Sequence, residues 1–244
     1  MAHRAMHTPP APRTAWADLV LPHRCAGCQQ LGPVVCDACR FALGTSPATI
    51  VPGGIAAALT FDGVVRTVVH GLKYRNRRAA ARVLAAITVR RLGLTGPGAP
   101  RVDLVTWAPT GPARIRHRGY DQAELLARSI AAELGVPCRR LLYRVHGPAQ
   151  SGRGRAERLH GPAFRARGGR GPRVLLVDDV VTTGATLMAA GRALSDAGIP
   201  EVRLIAVAAT PRPGERRTNG AGASDRVRAG APASEQAPGR LETA

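Results

Sequence analysis

The chain has 244 residues, of which 45% are hydrophobic, and a formal net charge of +19. It contains no apolar run of about 18 residues, and residues 1–16 lack the apolar centre of a secretory signal, so we expect a cytoplasmic protein without membrane association. Aromatic residues make up only 3%, and 34 of the 35 basic residues are arginine because Lys73 is the single lysine, which indicates a coding bias more than a dedicated nucleic-acid groove.

Low-complexity sequence lies at both ends of the chain. Residues 1–15 are rich in Pro, Ala, His and Thr and are predicted to be a disordered leader. Residues 211–244 are rich in Gly, Pro, Ala, Arg and Ser, which predicts a disordered tail. Between them we predict a cysteine-bearing segment over residues 16–50 and a main domain over residues 51–210.

In the main domain, apolar strand patterns alternate with helical patterns. In chain order we predict a strand at Gly54–Phe61, a helix at Val64–Leu92 broken near Asn76, a strand at Val102–Trp107, a helix at Asp121–Leu134, a short strand at Arg139–Arg144, a strand at Arg173–Val177, a helix at Ala185–Ala197 and a strand at Glu201–Ala208. This alternation predicts an α/β fold with a parallel sheet flanked by helices. The Arg- and Gly-rich connection between residues 146 and 173 has a length typical of functional or disordered loops.

Four cysteines form the pattern CxxC-x7-CxxC at Cys25, Cys28, Cys36 and Cys39. Two thiolates on each of two tight turns supply the four tetrahedral ligands that zinc favours, and a site filled by four sulfurs has no open position. The pattern therefore predicts a structural Zn²⁺ whose binding helps to fold a short segment. The alternative is a redox pair of dithiols. The fifth cysteine, Cys138, is expected to be an ordinary buried small residue.

The run VLLVDDVVTTGATL, residues 174–187, places two neighbouring acids directly after a buried strand. The carboxyl ends of parallel strands are where open α/β sheets bind ligands, and Asp178 and Asp179 need cations or hydroxyl donors there. The hydroxyls and the glycine of residues 182–186 begin a helix, and amides at a helix start form a cradle for phosphate. Acids for a sugar followed by a phosphate cradle fit a ribose 5-phosphate group, while the Walker A pattern of nucleoside triphosphate sites is missing from the sequence.

This run closely resembles the phosphoribosyl pyrophosphate (PRPP) signature of type I phosphoribosyltransferases. Further segments lie in the order expected of the ComF family, the competence-associated phosphoribosyltransferase-like proteins with an amino-terminal cysteine knuckle. These segments are the two CxxC pairs, GLKYR at 71–75, the strand that ends in Trp107-Ala108-Pro109, RGYDQAELLA at 118–127 and the stretch from Gln150 to Phe164. The likeness covers about residues 16–210. The family usually has asparagine where Asp121 stands, and an asparagine expected near His160 is missing from a shortened segment.

The resemblance implies a type I phosphoribosyltransferase fold, with a five-stranded parallel core and a smaller hood. It also implies binding of PRPP with Mg²⁺ and transfer of ribose 5-phosphate to an unidentified nitrogen nucleophile, with release of pyrophosphate. Asp178 and Asp179 are the implied catalytic residues. The implied PRPP-binding residues are Asp178, Asp179, Val180, Val181, Thr182, Thr183, Gly184, Ala185, Thr186, Lys73 and Arg118. The turn within VTWAPT, residues 105–110, would present its backbone amides to the pyrophosphate.

Several of these residues also have structural interpretations. Lys73 either reaches a phosphate or caps the carboxyl end of a helix. Asp121 and Glu124 either contact the ligand or form a capping box for the helix that they open. Arg114, Arg116 and Arg118 either lie near the pyrophosphate or belong to a solvated loop. A closing loop within residues 146–172 would exclude water from the activated sugar.

Two other functions remain possible from the sequence. The first is a catalytically inactive PRPP-sensing or accessory protein for DNA uptake and natural transformation, with DNA or the DNA-uptake machinery as partner. The second, a free-standing zinc-ribbon DNA-binding protein, leaves the residue 174–187 run without an explanation. The acceptor, the pathway and the oligomeric state are not determined by the sequence.

Overall fold

A computed structural model describes residues 24–72, 78–111, 115–116, 119–145, 162–168 and 172–211. The predicted leader, residues 1–15, and residues 212–244 of the predicted tail lie outside the described residues. The elements in chain order are α1 Asp37–Thr45, β1 Thr49–Val51, β2 Ile55–Thr60, α2 Gly63–Gly71, α3 Ala80–Arg91, β3 Leu104–Trp107, α4 Gln122–Leu134, β4 Leu142–Arg144, β5 Phe164–Ala166, β6 Arg173–Val181, α5 Ala185–Asp196 and β7 Glu201–Ala209.

The main sheet has five strands in the order β1-β2-β7-β6-β3. Strands β2, β7, β6 and β3 are parallel, whereas β1 pairs with β2 in the antiparallel direction. Beyond β3, Cys138 forms an isolated parallel bridge to Val105. The expected five-stranded parallel core is therefore a mostly parallel sheet with four full parallel strands. The fifth parallel position holds a single bridge: the Arg139 amide donates to the Val105 carbonyl at 3.0 Å, but the Leu141 amide donates to the side-chain hydroxyl of Thr106, at 3.3 Å, and not to the backbone of β3.

Alternate side chains of β6 enter different halves of the core. Leu175 and Val177 pack on the face that carries α2, α3 and α4, and Val174 and Leu176 pack on the face that carries α5. All four are at most 2% exposed. This double burial explains the continuous apolar run in the sequence, because a parallel strand covered by helices on both faces has no solvent side.

Most predicted elements are confirmed to within a few residues. The helix predicted at Val64–Leu92 is two helices, α2 and α3, and the predicted break near Asn76 lies outside the described residues. Strand β6 runs four residues beyond the predicted end at Val177, because the backbone of the two acids and two valines that follow still pairs with β7. Helix α1 and strands β1 and β5 were not predicted from the sequence. Strand β5 lies inside the connection interpreted as a loop and forms a two-stranded antiparallel sheet with β4.

The cysteine-bearing segment shares the main core with the helices of the sheet. Cys25, Val35 and Leu43 belong to the same buried cluster as residues of α2 and α3. The guanidinium of Arg91, at the end of α3, donates from Nε to the Ala58 carbonyl at 2.9 Å and from its two terminal nitrogens to the carbonyls of Gly44 and Ser46. These bonds fasten the end of α1 to β2, the strand beside it.

Candidate active site at the carboxyl edge of the sheet

The two aspartates of the residue 174–187 run lie where β6 continues past the end of β3. Trp107, the last residue of β3, pairs with Val177, so β3 has no residue opposite Asp178. The chain after β3 diverges at Ala108, whose amide donates to the Val177 carbonyl at 3.0 Å. This divergence opens a crevice at the carboxyl ends of the strands, the place where parallel α/β sheets bind ligands.

Each aspartate accepts a hydrogen bond from the amide that follows it. Asp179 N donates to Asp178 Oδ1 at 2.9 Å, and Val180 N donates to Asp179 Oδ1 at 2.7 Å. Burial raises the pKa of the Asp178 carboxyl well above its usual range, and the charges of Asp179 and Asp121 raise that pKa further. A desolvated acid beside a second carboxylate is stabilised by a cation or by hydroxyl donors, so the pair is suited to both.

The turn that precedes α5 contains a glycine, Gly184, in a left-handed conformation. Gly184 has a φ of +82°, and a Cβ at this position would approach Ile55 Cδ1 to 2.6 Å and the Pro52 carbonyl oxygen to 3.3 Å. Gly184 has no side chain with which to cap α5, and Thr183 Oγ1 accepts from the Ala185 amide at 3.4 Å. Amides of the first turn of an α-helix bind anions, so this turn is a chemically suitable phosphate site.

A cavity of about 320 Å³ joins the acids to the first turn of α5. Among the predicted ligand residues, Asp178, Asp179, Val180 and Thr186 line this cavity. The side chain of Val181 is instead buried in the core, at 3% exposure, so its only possible contribution to a ligand is through its backbone. The other predicted residues of this turn are Thr182 and Thr183, which are exposed, Gly184, which is buried, and Ala185, which is half-buried.

The opposite walls contain residues that the sequence analysis did not assign to the site. The Phe61 and His70 rings stack with centroids 5.9 Å apart, and both residues line the cavity, as do Val69 and Gln122. Arg144, at the end of β4, also lines the cavity. His70 directly precedes the GLKYR segment and Gln122 lies within RGYDQAELLA, so these two motifs could have indicated both residues from the sequence. Nothing in the sequence indicated that β4 reaches this edge of the sheet.

Asp121 links the turn after β3 to the start of α4. Its carboxylate accepts from Thr110 N at 2.8 Å, from Thr110 Oγ1 at 3.0 Å and from Ala123 N at 3.1 Å. The capping role predicted for Asp121 is confirmed. The Glu124 carboxylate, however, pairs with Arg128 at 2.8 Å, so the reciprocal half of the predicted capping box is replaced by an ion pair one turn along the helix.

The same bonds correct the expectation that the turn in VTWAPT presents its amides to a pyrophosphate. The amide of Ala108 donates to the Val177 carbonyl, Pro109 has no N–H, and the amide of Thr110 donates to Asp121. These three residues therefore line the cavity without offering it an unsatisfied amide. The basic residues predicted nearby divide into two groups: Arg116 is exposed, and Lys73, Arg114 and Arg118 lie outside the described residues.

The four cysteine sulfurs converge in the amino-terminal segment, within 4.8 Å of one another. Cys36 Sγ lies 3.6 Å from Cys25 Sγ and 3.7 Å from Cys28 Sγ. Sulfurs around a tetrahedral zinc ion, at Zn–S distances of about 2.3 Å, are about 3.8 Å apart. Gly27 permits this approach, because a Cβ there would lie 2.6 Å from Cys39 Sγ. The cluster could therefore hold Zn²⁺.

The electrostatics of the cluster also suit a metal ion. Burial raises the pKa of the Cys25 thiol, but hydrogen bonds from the backbone of Cys36, Cys28 and Gly27 outweigh that effect and bring its pKa to about 6. Burial and the neighbouring thiols raise the pKa of Cys39 strongly. Four thiolates this close together repel one another unless a cation lies between them, as it does in a structural zinc site.

Comparison with known proteins adds sequence relationships to this geometry. Residues 121–228 match the family model described as the phosphoribosyl transferase domain. The chain is 34% identical over 93 residues to competence protein ComFC of Bacillus subtilis, a match that covers 37% of this chain and 37% of the relative. It is 35% identical over 98 residues to competence protein ComFC of Streptococcus pneumoniae, covering 39% of this chain and 43% of the relative. The resemblance to the ComF family is confirmed.

The fold is accordingly the type I phosphoribosyltransferase fold with an amino-terminal cysteine cluster. An adenine phosphoribosyltransferase of Kineococcus radiotolerans is also similar, at 31% identity over 138 residues, which cover 57% of this chain and 60% of that protein. The matches with the two ComFC proteins span less than half of those relatives' lengths. Within the described parts of the chain, no helix has both the length and the apolar character that crossing a bilayer requires.

Proposed function

We propose that the chain binds PRPP with Mg²⁺ and transfers its ribose 5-phosphate group to a nitrogen nucleophile. The observation that supports this proposal is that one cavity is lined both by Asp178 and Asp179 and by Thr186 in the first turn of α5, where the N-cap residue Gly184 has no side chain. The acids suit the ribose hydroxyls, and the helix start suits the 5′-phosphate. The order of these groups along β6 and α5 matches the order of the sugar's 2′ and 3′ hydroxyls and its 5′-phosphate.

In the proposed reaction the nitrogen lone pair attacks C1 of the sugar while the bond from C1 to the pyrophosphate oxygen breaks. Pyrophosphate leaves with the electron pair of the broken C1–O bond, the transition state has oxocarbenium character, and the attacking nitrogen gives up its proton to solvent. Asp178 and Asp179 fix the sugar hydroxyls and would hold Mg²⁺, which supplies charge neutralisation for the leaving group. Lys73 and Arg118, which lie outside the described residues, are proposed to bind phosphate oxygens. Backbone groups of residues 180–185 are proposed to complete the phosphate cradle.

Zn²⁺ is proposed as a structural ion held by Cys25, Cys28, Cys36 and Cys39. Its role is to fold the segment that packs on α2, because Gly27 of this segment lies against Val64 in the first turn of that helix. We propose the cytoplasm as the compartment, because clustered thiols persist there without forming disulfides. Residues 16–50 and 51–210 are the proposed extents of the cysteine segment and the catalytic domain.

Calorimetric titration with PRPP and Mg²⁺ tests the site. The wild-type chain is expected to bind, and the double variant Asp178→Asn with Asp179→Asn is expected to lose binding. Asp196→Asn, at the exposed carboxyl end of α5, is a matched control that removes a carboxylate far along the chain from the cavity residues. Equal binding by the double variant and the wild type would show that these acids are not the ligand site. Release of pyrophosphate with a panel of free bases then tests catalysis.

A second candidate is a PRPP-binding accessory protein for DNA uptake that has lost catalysis. The β4–β5 sheet favours it, because arginine side chains lie over its aromatic rings. Arg140 and Arg167 lie 4.8 and 5.4 Å from the centre of the Tyr143 ring, and Arg144 lies 5.9 Å from that of Phe164. Arginine and aromatic side chains together bind single-stranded nucleic acid. PRPP binding without turnover, and affinity for single-stranded DNA that persists in raised salt, would support this candidate.

A further inference from the structure

A buried carboxylate joins two segments of the cavity wall that are eleven positions apart in the sequence. Asp121 is 6% exposed, and its Oδ2 accepts from the amide of Thr110. Its Oδ1 accepts from the Thr110 hydroxyl and from the amide of Ala123. Thr110 on one side of this link and Gln122 on the other both line the cavity. The link therefore fixes the turn after β3 relative to the first turn of α4.

In this chain the donors around Asp121 match a carboxylate that accepts at both oxygens, although the ComF family usually has asparagine at this position. Backbone N–H groups donate to both of its oxygens, and a carboxylate accepts at both. An asparagine has one oxygen and one NH₂ group, so in either orientation the NH₂ faces a backbone N–H. Asparagine is as good an N-cap as aspartate, so the orientation that keeps the bond from Ala123 is available. Asp121→Asn would then keep the cap of α4 and the bond from the Thr110 hydroxyl, both of which use Oδ1, and lose the bond from the Thr110 amide to Oδ2.

In the turn formed by residues 108–110, the Thr110 amide is the one that bonds to Asp121. The amide of Ala108 bonds to Val177 at the end of the paired strand, and Pro109 has none. The positions of Pro109 and Thr110 relative to Asp178, on the neighbouring strand, are thus set at one end by β3 and at the other by Asp121. A wall that shifts by about 1 Å changes the affinity and the orientation of a bound ligand.

We infer that Asp121 is a positioning residue, which holds the turn formed by residues 108–110 at the distance from Asp178 and Asp179 that the sugar phosphate requires. This inference rests on the proposed function. Asp121 acts through Thr110 and does not itself contact the ligand, because it is buried and lies outside the lining of the cavity, whereas Thr110 lines it. Its effect is therefore on ligand affinity in the folded protein, in addition to any effect on stability.

The experiment compares PRPP affinity, measured calorimetrically with Mg²⁺, in the wild type, Asp121→Asn, Thr110→Val and the double variant. Asp121→Asn is expected to weaken binding about tenfold, since it removes one buried hydrogen bond from the wall. Glu124→Gln controls for the loss of a carboxylate from the first turn of the same helix, at a residue that pairs with Arg128. Glu124→Gln is expected to bind PRPP within about twofold of the wild type. Because the charge of Asp121 also raises the pKa of Asp178, Thr110→Val is the variant that weakens the link and leaves that charge in place.

Hydrogen exchange provides a second measurement on the same variants. In Asp121→Asn the Thr110 amide is expected to exchange faster, while amides in the middle of α4 keep their wild-type protection. In the double-mutant cycle of PRPP affinities, Thr110→Val should weaken binding less in the Asp121→Asn background than in the wild-type background. Each change removes a different hydrogen bond, but both bonds belong to the one connection between Asp121 and Thr110. If Asp121→Asn does not fold, Thr110→Val alone is expected to speed exchange of the residue 110 amide, because the hydroxyl bond to Asp121 is lost, and to weaken binding about threefold.

Three results would overturn the inference: unchanged PRPP affinity in folded Asp121→Asn, an equal loss in Glu124→Gln, or strictly additive effects of the two substitutions. These results leave the proposed function standing as long as the wild type binds PRPP and the double aspartate variant does not. If the wild type itself binds no PRPP, the proposed function and the positioning role of Asp121 are both wrong.

Discussion

Replacing Gly184 with alanine tests whether the turn before α5 is fixed by its packing against the chain between β1 and β2. Gly184 has a φ of +82°, and a left-handed backbone costs an L-residue about 1–2 kcal/mol. The new methyl group would also lie 2.6 Å from Ile55 Cδ1 and 3.3 Å from the Pro52 carbonyl oxygen. Overpacking in a buried region costs about 1–3 kcal/mol. We therefore expect Gly184→Ala to lower the free energy of unfolding by about 2–5 kcal/mol.

Two further variants separate the backbone cost from the steric cost. Gly198 has a φ of +88°, and a Cβ there would meet nothing within 4 Å, so Gly198→Ala carries the backbone cost alone, about 1–2 kcal/mol. Ile55→Val removes the closest methyl group, at a cost of about 0.5–1.5 kcal/mol by itself. Combined with Gly184→Ala, it is expected to recover about 1 kcal/mol through non-additivity.

The assay is urea unfolding followed by far-ultraviolet circular dichroism in zinc-containing buffer, together with calorimetric titration of PRPP and Mg²⁺. Gly184→Ala is expected to weaken PRPP binding at least about tenfold, because the first turn of α5 must move to accommodate the methyl group. Gly198→Ala is expected to leave the affinity unchanged. The reasoning is refuted if Gly184→Ala costs no more stability than Gly198→Ala, or if Ile55→Val recovers none of the loss.

Three other substitutions follow from the structure. Cys39→Ser is expected to bring the bound zinc, measured by mass spectrometry of the metal, close to zero and to lower the melting temperature; full zinc retention would contradict the four-sulfur site. Asp178→Asn should unfold at higher urea concentration than the wild type near pH 7, and the difference should shrink as pH falls towards about 4. The reason is that the pKa of Asp178 is higher in the folded than in the unfolded protein, so ionisation of Asp178 destabilises the fold at pH values above the pKa of the unfolded chain. If the stability difference between Asp178→Asn and the wild type grew as the pH fell, the pKa of Asp178 would not be raised in the folded protein. Arg91→Ala is expected to cost about 2–4 kcal/mol in urea unfolding, since it leaves three backbone carbonyls without their donor, whereas Arg90→Ala, exposed on the same turn, should cost less than about 0.5 kcal/mol. Similar losses in the two arginine variants would show that the bonds from Arg91 to the three carbonyls do not stabilise the fold.

Some features of the site were predictable because they depend on short stretches of chain. The run 174–187 contains its strand, its acids, its glycine and the start of its helix within fourteen residues, so local pattern was sufficient to place them. The CxxC pairs were recognisable for the same reason, because each pair brings two sulfurs together through one tight turn. The capping role of Asp121 was likewise visible, since an N-cap acts on amides two and three residues along the helix.

Other features depend on contacts between distant segments. His70 and Arg144 line the cavity because α2 and β4 end beside the carboxyl edge of β6, and no local pattern encodes that arrangement. The short strands β1 and β5 were missed because three residues are too few for a period to show, and their pairing partners alone define them. The amides of the turn after β3 were predicted to bind a pyrophosphate, yet Val177 and Asp121 occupy two of them.

The sequence by itself determined the fold class, the acids, hydroxyls and glycine of residues 178–186 and the four sulfurs of the cysteine cluster. Each of these follows from side chains whose spacing along the chain already sets their spacing in the molecule. Only the tertiary structure decided the far wall of the cavity, the attachment of the cysteine segment through Arg91 and the bonds between Asp121 and Thr110. Those depend on hydrogen bonds and packing between residues that the folding of the sheet, not the covalent chain, brings together.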